Sequence, residues 1–200
     1  MPEMPEIILY GRPYNRSDRV QWTLEELEVP YRYHKLDVFG LEHRSAKIRA
    51  MYGLARLPIL EVDGDILFES GAIMIFLADS FRSRLNLLPE AGLLDRYVVL
   101  QWLFFANSTL DSADASLETN SEPSPFVPLT DALSFLNSHL DGRSYVALNT
   151  VTIADLALAN HLKYCDLEMV SQFSELSRYY QKLTSRPAYK RILEQAEYPK

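Results

Sequence analysis

Cysteine is almost missing from this chain, which has one, Cys165, among its 200 residues. A single cysteine excludes an internal disulfide and a Cys-x-x-Cys redox pair, so we expect a reducing, cytoplasmic environment. Metal-ligand spacing is missing too, because no two of the four histidines form a pattern such as H-x-x-x-H. We therefore expect no bound metal, and we expect Cys165 to be a small buried residue on an apolar helix.

Long charged runs and long apolar runs are also lacking. The net charge is −7 and basic residues do not cluster beyond about a pair, which argues against a nucleic-acid partner. No apolar stretch reaches membrane-spanning length, and the acidic start lacks the apolar run of a signal peptide. We expect no membrane partner. With 48% hydrophobic and 24% charged residues, the composition is that of a globular protein of one large or two small domains.

A β-hairpin is the strongest local signal in the sequence. Two short apolar runs, Ile59–Val62 and Ile66–Phe68, flank the turn residues Asp63-Gly64-Asp65. Asp-Gly between such runs indicates a tight turn, because glycine tolerates a positive φ. Pro58 opens the first strand, where its missing N–H is not needed, and the backbone of Leu57 is left to pair with a ligand.

Glu69 and Ser70 follow the second strand directly and precede an apolar helical pattern that includes Ile73. The start of a helix presents unpaired N–H groups and the positive end of its dipole, which suit a carboxylate. Glu69 beside it is a natural partner for an ammonium group. This pair of features suits the α-amino-acid end of a ligand. The alternative is a hairpin packed on a helix that Ser70 caps, as in many α/β proteins.

The surrounding pattern predicts two structural classes in succession. Before residue 82 the order is β-α-β-α-β-β-α, with a right-handed βαβ unit at its start. After it the pattern is helical only, with one long helix from Leu93 to about Leu117 and another from Leu129 to Gly142. The prolines among residues 118–128 predict a loop between these two helices. The elements expected in the first part are strands at Ile7–Tyr10 and Tyr31–Leu36, helices around Val20–Leu27 and His43–Met51, the hairpin, and a helix ending near Phe81.

Two helix starts are marked in the second half. Thr152 and Asp155 have the spacing of a capping box with Asp in place of Glu, and Val151 and Leu156 have that of a hydrophobic staple. Pro187 opens the last helix in its first turn. We assign these residues to folding and not to chemistry.

Four motifs, in their order along the chain, resemble the glutathione S-transferase family. They are Leu-Pro before a hairpin, E-S-x-A-I at residues 69–73, T-I-A-D at residues 152–155 and Arg186-Pro187 near the end. The resemblance covers about the whole chain. It implies a fold of α/β plus all-α class: a thioredoxin-like βαβαββα domain over residues 1–82, a linker over 83–89 and a helical-bundle domain over 90–200.

The resemblance also implies a binding site for glutathione as co-substrate. In that family the proline is cis, the residue before it pairs with the cysteinyl backbone, and Glu-Ser holds the γ-glutamyl end. A positive group beside the glycyl carboxylate is expected too, and the candidates for it are a histidine and two arginines. The alternative, that these three are exposed surface residues, stays open. Carried to this sequence, the glutathione residues are His43, Arg44, Arg56, Leu57, Pro58, Glu69 and Ser70.

Family enzymes lower the pKa of the glutathione thiol, which is otherwise about 8.5 for a free thiol. The donor to sulfur is expected between the first strand and the first helix, over Tyr10–Ser17, where Tyr14 and Asn15 align with the serine of the serine classes. We take these two as the catalytic candidates. The alternatives are that Tyr14 is an exposed loop aromatic and that Asn15 caps the first helix. Tyr10, near the tyrosine of the tyrosine classes, is expected in the core.

The leading hypothesis is a homodimeric transferase that attaches glutathione to a small apolar electrophile. Two alternatives remain: a non-catalytic binding or regulatory protein on the same scaffold, and another glutathione-dependent enzyme such as an isomerase, ether lyase or dehalogenase. Trp102 is assigned to the core. The residues expected to line the electrophile pocket are Arg12, Pro13, Phe104, Phe105, Asn107 and Ser108.

Overall fold

The computed structural model describes residues 4–37, 41–113, 127–165 and 167–196. These fall into two compact units, one of Met1–Leu85 with Ala188–Lys200 and one of Asn86–Pro187. The domain limits drawn from the sequence, 82/83 and 89/90, stay a prediction. The structure adds that the end of the chain belongs to the first unit.

The first unit is built on a mixed sheet of four strands in the order β2-β1-β3-β4. Strand β1 is parallel to β2 and antiparallel to β3, and β3 is antiparallel to β4. This arrangement confirms the predicted βαβ unit and hairpin, and with them the thioredoxin-like fold. The strands are β1 (Ile7–Gly11), β2 (Arg32–Lys35), β3 (Ile59–Val62) and β4 (Asp65–Phe68).

The turn of the hairpin has the predicted geometry. Asp63 has φ 50° and Gly64 has φ 92°, so both central residues are left-handed. A tight primed turn requires this, and it keeps the twist of the two strands matched. The turn fixes the register in which Ile59 pairs with Phe68, and so sets where the chain after β4 emerges.

Three helices accompany the sheet: α1 (Ser17–Glu26), α2 (Ala46–Met51) and α3 (Ser70–Ser80). The helix expected around His43–Met51 is divided into a 3-10 turn, Glu42–Arg44, and α2. The division falls at Ser45, whose side chain accepts a hydrogen bond from the backbone N–H of Ile48 and so begins α2.

The second unit is helical. Its helices are α4 (Leu94–Phe104), α5 (Leu129–His139), α6 (Ile153–Leu162), α7 (Leu167–Ser171) and α8 (Ser174–Thr184). Helix α4 runs into a π-helical turn, Phe105–Leu110, which the sequence did not predict, and helical backbone resumes through residue 113. The predicted continuation to Leu117 and the loop over 118–126 lie outside the described residues. Among the helices described, none has the length and apolarity that crossing a membrane demands.

Helix α6 is the core of the second unit, since all ten of its residues are buried. The predicted capping box is present: Asp155 Oδ2 accepts from the backbone N–H and the hydroxyl of Thr152, at 2.8 and 2.9 Å. Asp155 Oδ1 accepts from the N–H of Val146 at 2.8 Å and from the hydroxyl of Tyr179 at 2.9 Å. Burial raises the pKa of Asp155 and that of Tyr179. One carboxylate thus joins three segments of this unit.

The last helix, α9 (Pro187–Gln195), begins at the predicted proline and packs on α1. The rings of Tyr189 and Trp22 lie 4.6 Å apart between centroids, and Trp22 is fully buried. Arg191 Nε donates to Glu25 Oε2 at 2.6 Å, and this hydrogen bond raises the pKa of the guanidinium. A helix that the sequence groups with the helical bundle therefore completes the core of the first unit.

Gly11 gives a testable consequence of close packing at the end of β1. A Cβ at this position would lie 2.6 Å from Cβ and 2.7 Å from Oγ of the buried Ser17. We expect Gly11→Ala to lower the free energy of unfolding by about 1–3 kcal/mol, because the first turn of α1 must move. Urea denaturation measures this loss. Gly53→Ala is the control, since no atom beyond the neighbouring residues of the chain lies within 4 Å of a Cβ there. Equal stability of the two variants would contradict the argument.

Candidate functional site

An apolar cluster at the end of β1 packs against Leu57, one of the residues predicted to bind glutathione. Its buried members are Tyr10, Leu36, Ile48, Ala55 and Ile59, and the half-buried Leu57 packs against them. The hydroxyl of Tyr10 donates to Glu61 Oε2 at 2.8 Å, and burial raises the pKa of this tyrosine. The expectation that Tyr10 is a core residue is confirmed. The side chain of Leu57 is held by this cluster, so the residue is fixed in position.

The peptide bond between Leu57 and Pro58 is cis, as the resemblance implies. A small cavity of about 30 Å³ lies beside it. Five of the residues predicted to bind glutathione meet there, and two others join them. The lining residues are Arg16, Tyr52, Arg56, Leu57, Pro58, Glu69 and Ser70.

Glu69 has a strained backbone, with φ 68° and ψ 111°. Such a conformation in a residue other than glycine is uncommon and is concentrated at functional sites. The exposed carboxylate accepts a long hydrogen bond of 3.4 Å from the hydroxyl of Tyr52, whose ring stacks on Phe68 at 4.3 Å. Ser70 is buried and is the first residue of α3, whose first turn contains no acidic side chain. The predicted pairing of a carboxylate with a helix start is therefore present.

A larger cavity of about 610 Å³ lies in the same unit. Its size is that of a site for a small organic ligand. It brings His43 and Arg44, predicted from their place in the sequence, next to Arg56. The lining residues are Arg12, Asn15, Arg16, His43, Arg44, Leu54, Ala55, Arg56 and Leu57. Arg16, Arg56 and Leu57 line both cavities, so the two are neighbours.

The larger cavity is strongly cationic. Four arginines line it, and the described residues around it include no carboxylate. Within the part of the chain that the structure describes, the guanidinium groups of Arg12, Arg44 and Arg56 make no hydrogen bond or ion pair. The Nδ1 atom of His43 is buried and has no hydrogen-bond partner among the described residues. Such an arrangement is suited to an anionic ligand.

The segment between β1 and α1 holds the two catalytic candidates in different ways. Tyr14 is left-handed, with φ 62°, and its side chain is 46% exposed. It is not among the described residues that line either cavity. Asn15 lines the larger cavity, and its Oδ1 accepts from the backbone N–H of Ser17 at 2.6 Å. That bond closes a turn just before α1, whose N-cap is Arg16 and not Asn15. The catalytic roles of both residues stay predictions.

Arg16 and Tyr52 are site residues that the sequence analysis missed. Arg16 lies between Asn15 and the first residue of α1, inside the segment to which the thiol donor was assigned. Its position in that segment is the available signal, although its guanidinium is neither the hydroxyl nor the amide expected there. Tyr52 directly follows α2, and its ring stacking on β4 has no signature in the sequence.

The residues expected to line the electrophile pocket belong to both units. Arg12 lines the larger cavity of the first unit. In the second unit Phe104 is 62% exposed, whereas Phe105 packs on Trp102 with 5.3 Å between ring centroids. Trp102 is 5% exposed, so its assignment to the core is confirmed. The electrophile pocket as a whole stays a prediction. Its other predicted members are the half-buried Pro13 and Asn107 and the exposed Ser108.

Cys165 is buried, with 5% exposure, as expected. The expectation that it lies on a helix is wrong, because α6 ends at Leu162 and Cys165 falls in the bend that follows. Among the described residues, no group of three or more His, Cys, Asp or Glu side chains has an arrangement that could hold a metal ion.

Sequence comparison identifies the family of the two parts of the chain. The family model for the glutathione S-transferase N-terminal domain matches residues 15–80, and that for the C-terminal domain matches residues 127–187. Glutathione S-transferase F9 of Arabidopsis thaliana is 27% identical over 96% of this chain and 98% of its own length. Elongation factor 1-gamma 3 of Oryza sativa subsp. japonica is 26% identical over 77% of this chain, which spans 40% of that relative.

Solved structures are similar over nearly the whole chain. A glutathione transferase family member from Pseudomonas fluorescens Pf-5, with two glutathione bound, has 26% identity and a TM-score of 0.80, covering 97% of this chain and 95% of that one. The transferase URE2P6 from Phanerochaete chrysosporium, in complex with oxidized glutathione, has a TM-score of 0.82 at 22% identity and covers 98% of both chains. The latter likeness bears on the fold alone.

Proposed function

We propose, since this chain belongs to the glutathione S-transferase family, that it binds glutathione, stabilises its thiolate and transfers it to a small electrophile. The observation that carries the proposal is the meeting of the cis Leu57–Pro58 bond with Glu69 and Ser70 in one cavity, next to a larger cationic one. We further propose that the protein acts in the cytoplasm, in detoxification.

The contacts proposed for glutathione follow from the chemistry of its ends. The γ-glutamyl carboxylate would lie at the start of α3 beside Ser70, where backbone N–H groups and the helix dipole favour a negative charge. Its ammonium group would pair with Glu69. The backbone of Leu57 would pair with the cysteinyl residue. The glycyl carboxylate would then lie in the larger cavity beside His43 and would pair with Arg44 or Arg56, whose positive charge suits it.

The thiol is proposed to lie where the two cavities meet. Leu57 lines both of them, and a cysteinyl residue paired with its backbone is held at their junction. Arg16 lines both cavities as well, so its guanidinium is the charged group of the β1–α1 segment best placed to lower the thiol pKa. Tyr14 and Asn15 remain proposed as donors to sulfur. Asn15 would donate from Nδ2, because its Oδ1 accepts from Ser17.

Replacing Arg16 tests this assignment. We expect Arg16→Gln to raise the pKa of bound glutathione by about one unit, and Arg16→Lys to raise it less, because an adjacent positive charge favours the thiolate. The ultraviolet absorbance of the thiolate in the complex, followed against pH, gives the value. Tyr14→Phe and Asn15→Ala are titrated in the same way to rank the three residues.

Arg32→Gln is the matched control, since Arg32 is exposed on β2 and pairs with Glu6. The affinity for S-methylglutathione, which has no thiol proton, separates binding from activation. A bound-thiol pKa that is the same in Arg16→Gln and wild type would remove Arg16 from the mechanism.

A non-catalytic binding protein is the second candidate, and the similarity to elongation factor 1-gamma 3 favours it. The two candidates differ in a simple pair of measurements. A transferase is retained on immobilised glutathione and turns over a chlorodinitrobenzene, whereas a binding protein is retained without turnover. A glutathione-dependent isomerase, ether lyase or dehalogenase would be retained and would act only on its own substrate class.

We also propose a homodimer. Each unit has large apolar side chains at its surface, including Phe68 in the first and Leu94 and Tyr97 in the second, with exposures of 46%, 76% and 57%. Such side chains gain from burial against another chain. Sedimentation equilibrium gives the mass directly, and a monomer at micromolar concentration would refute this part of the proposal.

A further inference from the structure

The larger cavity holds more positive charge than glutathione can neutralise. It is lined by Arg12, Arg16, Arg44 and Arg56, in a chain with a net charge of −7. Arg12 is half-buried, whereas Arg16, Arg44 and Arg56 are exposed. Four guanidinium groups around one cavity offer paired N–H donors suited to an anionic ligand. Three of the four, all except Arg16, make no hydrogen bond or ion pair through the guanidinium within the described part of the chain.

Glutathione in its thiolate form carries two carboxylates, one thiolate and one ammonium group. Under the proposed function, the ammonium pairs with Glu69 and the glycyl carboxylate pairs with Arg44 or Arg56. The thiolate faces Arg16. Arg12 and one of Arg44 and Arg56 are then left without a negative partner on the peptide. Of these, Arg12 comes from the β1–α1 segment, to which the thiol donor is assigned, whereas Arg44 and Arg56 are assigned to the glycyl end.

We propose that Arg12 binds an anionic group on the second substrate, so that this enzyme prefers electrophiles carrying a carboxylate or a similar oxyanion to neutral apolar ones. The inference rests on the proposed function, because it takes the thiol position from it. It departs from the small apolar electrophile that the sequence led us to expect. A guanidinium presents two parallel N–H donors to a carboxylate, which fixes orientation as well as charge.

The position of Arg12 is set by the fold. Its backbone N–H donates to Oγ of Ser17 at 3.4 Å, and Gly11 before it lies in contact with the same serine. The residue is half-buried, and it lines the cavity from the loop between β1 and α1. An anionic substituent held there would direct the reacting carbon of the electrophile toward the thiolate.

A chlorodinitrobenzoate and its methyl ester are the substrates for the test. In both, the thiolate forms a C–S bond to the carbon that carries chlorine, the C–Cl bond breaks, and chloride leaves with the electron pair. The thiol proton goes to solvent. The two differ in charge at a position remote from the reacting carbon. Their rates with free glutathione, measured without protein, correct for intrinsic reactivity.

We expect the corrected kcat/KM of the acid to exceed that of the ester by about tenfold or more, since a charge-assisted hydrogen bond contributes about 1.5–3 kcal/mol. The ratio should fall as salt is added, because screening weakens the attraction. In Arg12→Gln the ratio should approach one. Arg32→Gln removes the same charge from β2 and should keep the wild-type ratio.

The binding of the two products, the S-aryl glutathiones with and without the free carboxylate, gives a readout that needs no turnover. Calorimetry should find that wild type and Arg32→Gln bind the acid product more tightly than the ester product. Arg12→Gln should bind the two products equally. If the protein binds glutathione but the ratio is near one, or is unchanged in Arg12→Gln, the inference on the electrophile is wrong and the proposed function stands. If glutathione itself is not bound, both are wrong.

Discussion

An Asp155→Ala variant is expected to lose about 3–5 kcal/mol of unfolding free energy. Its carboxylate accepts four hydrogen bonds, two from Thr152 and one each from Val146 and Tyr179. Without it, buried donors lose their partner, and each such donor costs about 1–3 kcal/mol. Since whole domains are stable by only about 5–15 kcal/mol, the helical unit should unfold at much lower urea.

Urea denaturation followed by far-ultraviolet circular dichroism measures this loss. Tyr179→Phe removes one of the four donors and should lose about 1–2 kcal/mol. Asp131→Ala is the control, because Asp131 is an exposed residue in the first turn of α5 and should change stability by less than about 1 kcal/mol. If Asp155→Ala were as stable as Asp131→Ala, the carboxylate would not be the tie between segments that its hydrogen bonds indicate.

Glu69→Ala is expected to weaken glutathione binding by about 10–100-fold, because a hydrogen bond to a charged group contributes about 1.5–3 kcal/mol. Ser70→Ala should weaken it less, since backbone N–H groups at the start of α3 remain. Isothermal calorimetry gives both affinities. Glu90→Ala, which removes an exposed carboxylate from the second unit, is the control.

Cysteinylglycine sharpens this test, because it is glutathione without the γ-glutamyl residue. Wild type should bind it more weakly than glutathione, and Glu69→Ala should bind it as wild type does. The two ligands and two proteins form a cycle that isolates the coupling between Glu69 and the γ-glutamyl residue, which carries the ammonium group. If Glu69→Ala weakened the dipeptide as much as the tripeptide, the loss would come from a rearranged backbone at this strained residue and not from that contact.

The parts of the structure that the sequence predicted are those whose cause is local. The Asp63-Gly64 turn sets the hairpin by backbone conformation alone. Thr152 and Asp155 are three residues apart, and their capping box depends only on that spacing. Leu57 and Glu69 are brought together by the hairpin between them, so the smaller cavity was predictable once the hairpin was.

The parts of the structure that the sequence did not predict depend on contacts between distant segments. Arg16 lines both cavities because the start of α1 lies near the residues around the cis bond, which no spacing reveals. The π-helical turn at Phe105–Leu110 lies in a run with regular helical periodicity; its polar Asn107-Ser108-Thr109 could compete for backbone hydrogen bonds, a weak signal. The aromatic contact between Trp22 and Tyr189 joins residues from opposite ends of the chain.

That last contact decides how the protein can be dissected. A fragment that stops after Leu85 lacks the ring that covers Trp22 and the arginine that pairs with Glu25. It would present an indole and an unneutralised carboxylate to water, and would tend to associate or be degraded. Fusing residues 188–200 back to such a fragment through a flexible tether should restore a monodisperse product.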